Sequence, residues 1–140
     1  MIVCSVKMFD FKPDDKFERT FVVTDDVYNG FTQTFNDTNP LHTDEQFAIA
    51  NGFRGRVMHG NILNGFLSYF IGECLPTKDV IIHSQEIQFK NPCYLYDELF
   101  FTATVTGIFE SVKAVEFKFS FKNAGSKVVA KGKIQIGLLG

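Results

Sequence analysis

The chain has 140 residues, 45% hydrophobic and 21% charged, with a formal net charge of −2. A domain of this length buries roughly 70% of the surface its unfolded chain exposes and needs no disulfide or metal to fold, so a single domain over residues 1–140 is expected. Dispersed charge excludes the concentrated basic face of a nucleic-acid binder, and no apolar run reaches the length of a membrane-spanning helix.

The cysteines, Cys4, Cys74 and Cys93, show neither paired spacing nor a metal motif, and no His sits in a partner motif with them. That pattern predicts free, non-catalytic thiols in a reducing compartment. The Met1 end shows no basic-then-apolar secretion signal, which makes the cytoplasm the expected location. Seventeen Phe and no Trp predict a core filled largely by phenylalanine rings.

In chain order, a strand is predicted near Phe17–Val23. Thr24, followed by Asp25 and Asp26, starts a helix that runs to about Phe35: the hydroxyl caps it and the acids suit the positive end of its dipole. Gly30 weakens that helix. Asn36-Asp37-Thr38-Asn39-Pro40 is a loop, because Asn and Asp bond to nearby backbone and Pro40 keeps Asn39 out of the helical region. Thr43, with Gln46 three residues on, has the spacing of a capping box and opens a second helix, which Asn51-Gly52 stops. After the loop from Phe53 to His59, residues 61–74 form a third helix, apolar nearly all round and so buried, with Pro76 beyond its end.

Past residue 79 the period becomes two. Val80–Phe89 and Leu99–Ile108 are strand-like, Val115, Phe117, Phe119 and Phe121 alternate with polar residues, and a last strand runs to Ile136. Asn123-Ala124-Gly125-Ser126 is a hairpin turn by composition. The expected class is α+β, one long buried helix against a curved antiparallel sheet.

Two segments carry chemistry. In the first, Asp37 and His42 share a short stretch stiffened by Pro40. A carboxylate and an imidazole with different surroundings can act as acid and base; equally, Asp37 can cap a helix and His42 can be a solvated side chain. A metal site from Asp37, His42 and Asp44 is disfavoured, since no fourth ligand stands out and Asp44 fits the first turn of a helix. In the second, Phe53-Arg54-Gly55-Arg56-Val57-Met58-His59-Gly60-Asn61 leads into the apolar helix. Free N–H groups at a helix start stabilise oxygen charge, and Gly60 lets a ligand carbonyl approach or permits a tight turn. His59 is a hydrogen-bonding group beside that turn. Arg54 and Arg56 suit phosphate oxygens or remain solvated. His83 sits in a strand pattern, packed or solvated.

Asp37-x-Asn39-Pro40-Leu41-His42, followed by Phe53-x-Gly55-Arg56-Val57-x-His59-Gly60, resembles the hydratase-2 signature of the MaoC-like, (R)-specific enoyl-CoA hydratases. Leu75-Pro76, Gln88-Phe89-Lys90-x-Pro92 and Asp97-Glu98-Leu99 are also similar to the family pattern, and the likeness spans residues 17–138. It implies a hot-dog fold and dimers formed by paired sheets, with an acyl-thioester pocket near the interface. Asp37 and His42 would activate a water that adds to a trans-2-enoyl thioester, or remove it from an (R)-3-hydroxyacyl thioester. Gly60 would bind the thioester carbonyl, Ser68 would be the pocket serine of the central helix, with Asn64 on the same helical face, and Asn39 would hold the loop. No metal or other cofactor is implied; coenzyme A enters as part of the substrate. A carrier-protein thioester, or a binding module without chemistry, are the alternatives. Asn36 replaces a more usual small residue. Asn61 and Asn64 make the helix start polar, which suits a short or polar acyl group or amides that satisfy one another.

Overall fold

The computed structural model describes residues 10–140; Cys4 lies outside them. Strand β1 (Lys16–Val22) leads into helix α1 (Asp25–Phe35) and two short helices, α2 (Pro40–Thr43) and α3 (Glu45–Ala50). The central helix α4 (Asn61–Glu73) follows, then strands β2 (Val80–Phe89), β3 (Glu98–Phe109), β4 (Ala114–Lys122) and β5 (Val128–Leu138). The strands form one antiparallel sheet in the order β1-β3-β4-β5-β2. This is the α+β arrangement expected from the change of hydrophobic period. No helix among the described residues is long and apolar enough to cross a membrane.

The alternation read in the sequence sorts the sheet's two faces. Phe117, Phe119 and Phe121 of β4 and Phe101 of β3 are buried, and they join Leu63, Leu67 and Phe70 of α4 in one core. Phe101 packs on Phe70 and on Phe121 with centroids 4.9 Å apart in each case. Register shifts at Ile82/Ser84, Val105/Gly107 and Phe121/Lys122 are the kind of irregularity that bends and twists strands. His83 sits at the first of them, its ring over Gly137 and its Nδ1 3.2 Å from Gln135 Nε2. The hairpin turn closes on Asn123, whose Oδ1 accepts from Gly125 and Lys127 N–H, each at 3.0 Å.

Two expectations change. The second helix does not start at Thr43. A single turn, α2, starts at Pro40 with Asn39 Oδ1 accepting from Leu41 N–H at 3.0 Å, and α3 is then capped by Asp44, which accepts from Phe47 N–H at 3.2 Å. Asp and Asn cap better than Thr, and the Thr43 hydroxyl instead donates back to the Thr38 and Asn39 carbonyls. Asp44 is thus a cap rather than a first-turn acid. The central helix is also not buried all round. Ile62, Leu63, Leu67, Phe70 and Ile71 face the core, while Gly65, Ser68 and Tyr69 are exposed, because one chain's sheet covers only one side of it.

Candidate active site

Asp37 is placed by the end of α1. Asn36 ends that helix in the left-handed conformation, φ 54°, which Asn tolerates better than most residues. This accounts for an asparagine where a small residue is more usual. Beyond it, Asp37 Oδ1 accepts from Asn39 N–H at 3.4 Å, and Asn39 in turn caps α2. Asn39 thus links Asp37 to the start of α2.

His42 lies on α2. Val57 straps it twice: Val57 N–H donates to Leu41 O at 3.0 Å, and His42 Nδ1 donates to Val57 O at 2.8 Å. A carbonyl only accepts, so Nδ1 carries a hydrogen, and in the neutral ring the lone pair is on Nε2. The Tyr28 hydroxyl anchors the same turn by donating to His42 O at 2.7 Å.

Carboxylate and ring-nitrogen donor atoms of Asp37, His42 and His59 lie within 4.8 Å of one another. Two hydrogen bonds of about 2.8 Å at a tetrahedral angle span about 4.6 Å, so one water can bridge such groups. The same three residues are the candidate metal-ligand set among the described residues; Asp44, occupied as the α3 cap, is not part of it. His59 is 2% exposed, and its Nε2 donates to Asp37 O at 2.8 Å.

Asp37, His42, His59 and Gly60 line one cleft of about 470 Å³, together with Phe53, Phe89 and Lys90. Ile62 and Leu63 N–H groups are taken by His59 and Gly60 carbonyls, which leaves the Gly60 and Asn61 N–H groups as the donors of the helix start. Gly60 is also crowded, since a Cβ there would lie 3.0 Å from the Phe89 ring. A second, larger hollow of about 930 Å³ runs between α1 and α4 and shares Phe31, Asp37 and Asn61 with the first. Asn64 lines this hollow, but it donates to Asn61 Oδ1 at 2.8 Å and accepts from Gln85 Nε2 at 2.5 Å. The amides at the start of α4 thus satisfy one another. Ser68 is exposed on the open side of α4 and lines neither hollow.

The two arginines face another cleft beside Glu45 and Asp97. Arg54 lies 4.1 Å over the Tyr94 ring and 3.5 Å from Asp97, and Arg56 stacks on Tyr28. Arg54 also borders a groove with Lys127 that adjoins the first cleft at Asn91 and Pro92. Sequence reasoning did not assign Phe31, Phe53, Phe89 or Lys90 to the site. The Gln88-Phe89-Lys90-x-Pro92 block was visible, but nothing local says that the end of β2 faces Asp37.

Cys93 also lines the cleft, buried. Burial first, then the Asp97 carboxylate, pushes its thiol up to about 12. It therefore stays protonated and unreactive at neutral pH. Peptide mapping after brief iodoacetamide treatment of the native protein should find Cys93 unmodified, and modification only after denaturation.

Residues 10–125 match the family model described as the MaoC like domain. The chain is 37% identical over 100 residues to an (R)-specific enoyl-CoA hydratase of Rhodospirillum rubrum, covering 71% of this chain and 69% of that protein. It is 28% identical over 125 residues to a mitochondrial 3-hydroxyacyl-[acyl-carrier-protein] dehydratase of Arabidopsis thaliana, covering 87% and 74%. A solved (R)-hydratase from A. caviae involved in PHA biosynthesis superposes with a TM-score of 0.84 at 25% identity, covering 91% of this chain and 97% of that one.

Proposed function

The chain belongs to the MaoC-like domain family, and from that premise we propose that it is a hydro-lyase for acyl thioesters, working as one domain with Asp37 and His42 as its acid/base pair. The observation that carries the reading is that the Asp37 carboxylate and a ring nitrogen of His42 lie within one water's span of each other, in the same cleft as the Gly60 helix start, while Val57 O holds His42 Nδ1.

In the hydration direction Asp37 and His42 hold the water, and Nε2 takes one of its protons. The water oxygen bonds to C3 of a trans-2-enoyl thioester. The electron pair of the C2–C3 double bond moves toward the thioester oxygen, where the Gly60 and Asn61 N–H groups stabilise the enolate charge. The proton held at Nε2 then passes to C2, leaving an (R)-3-hydroxyacyl thioester and a neutral imidazole. Dehydration is the same path reversed. The acyl group would lie in the hollow between α1 and α4, and the phosphate-bearing arm would leave past Asn91 and Pro92 toward Arg54 and Lys127. Arg56, turned onto Tyr28, supports the His42 turn instead.

A homodimer and a reducing cytoplasm belong to this reading. In support of the dimer, β2 pairs only with β5 among the described residues and exposes Ile81, Ile82 and Phe89, while α4 exposes Tyr69. In support of the compartment, Cys74 and Cys93 are free thiols.

The test is loss of the enoyl absorbance when purified protein is mixed with crotonyl-CoA, alongside crotonyl carrier protein. Hydration of either, unchanged by a chelator, is expected; the faster substrate names the carrier. Turnover of neither would remove the enzyme and leave a thioester-binding module.

A further inference from the structure

The acid/base loop and the helix start are separate pieces of chain, and something must set the distance between them. Asp37 itself is exposed, and the internal bond of its loop is a long one, 3.4 Å to Asn39 N–H. His59 is the opposite: buried, immediately before Gly60, and in contact with both catalytic residues. Its Nε2–H meets the Asp37 carbonyl at 2.8 Å, across 22 residues of sequence. Its ring lies against that of His42, centroids 4.0 Å apart and planes tilted by 31°. Phe31 closes the ring's surroundings at 4.8 Å and Tyr28 at 5.9 Å. Nδ1 has no hydrogen-bond partner among the described residues, so the Asp37 carbonyl is the only polar anchor of this side chain.

We propose that His59 is the positioning residue of the site: through Nε2–H it clamps the Asp37 loop to the start of α4, and through its ring it sets the plane of His42. It does not touch the reacting atoms. The assignment rests on the hydratase reading for its effect on rate, but the clamp itself does not. A bond from Nε2 to a carbonyl requires a hydrogen on Nε2, whatever reaction the cleft performs.

Two measurements test it. In wild-type protein, long-range nitrogen–proton correlation spectra of the imidazoles should show His59 with its hydrogen on Nε2; an Nδ1–H tautomer would overturn the clamp, with or without any enzyme activity. In variants, His59→Leu removes the donor, and His59→Gln keeps an N–H at a similar reach. On the thioester that wild type turns over, His59→Leu should lower kcat by about 10- to 100-fold with KM changed by less than about threefold, as expected when reacting groups are misplaced by about an ångström. His59→Gln should recover most of that loss at a melting temperature no higher than that of His59→Leu. Equal kcat for the two variants, or an unaltered kcat in His59→Leu, would leave His59 as packing only. Failure of wild type to hydrate any thioester removes the function proposed above, while the tautomer still decides the clamp.

Discussion

Asp37→Asn and His42→Ala should each lower kcat for enoyl-thioester hydration by about 100- to 10,000-fold, the range for loss of a positioned acid or base, with KM moving far less. Asp37→Asn is the cleaner probe. The amide oxygen can still accept from Asn39 N–H, so the loop keeps its turn while losing the charge with which the carboxylate would hold the water. His42→Ala removes more. The Val57 carbonyl loses the 2.8 Å bond from Nδ1, a loss of about 1 kcal/mol of stability, so a thermal melt must accompany the kinetics. Since the proposed roles put both side chains on one water, the double variant should be little slower than the slower single one, as for other groups that work as a unit. Steady-state rates on the three proteins check this. Variants within a few-fold of wild type would break the assignment of roles, even if the wild type were active.

The largest stability effect is expected at Phe70. This ring is 0% exposed and stands where the central helix meets the sheet. Its centroid is 4.9 Å from Phe101, 5.7 Å from Phe17 and 6.2 Å from Phe117, so it ties α4 to β1, β3 and β4 at once. Phe70→Ala removes those contacts and leaves a cavity that three rings from different strands cannot fill together. The cost is about 3–5 kcal/mol, a large part of the roughly 5–15 kcal/mol that holds a domain folded. The melting temperature should fall by on the order of 10 °C. Phe70→Leu, which refills most of the space, should lose roughly a third of that. Calorimetry on both variants checks the ratio. Equal losses would mean that ring-specific geometry, rather than volume, holds the helix to the sheet.

The strands were legible because side-chain alternation is a local property: Val115, Phe117, Phe119 and Phe121 bury one face of β4 whatever lies beside it. The cap at Thr24 was legible for the same reason, since its hydroxyl reaches a backbone N–H three residues on. The start of the second helix was misread because Thr43 and Asp44 are adjacent candidates, and the choice fell to the residue that the upstream Pro40 turn left free. The exposed side of α4 was misread because an apolar pattern reports what wants burial and does not say what covers it.

By itself, the sequence determined the class of fold, the order of its main elements and the two segments that turn out to line one cleft, because those depend on period, caps and residue type within a few positions. Only the tertiary structure decided how the segments meet. The His42 tautomer depends on a carbonyl 15 residues away, and the Asp37 loop is held by His59 from 22 residues away. Phe89 and Lys90 at the end of β2 line the same cleft. The shared physical reason is that hydrogen-bond direction and contact distance arise between chain segments, and a sequence specifies those only through the complete packing that brings the segments together.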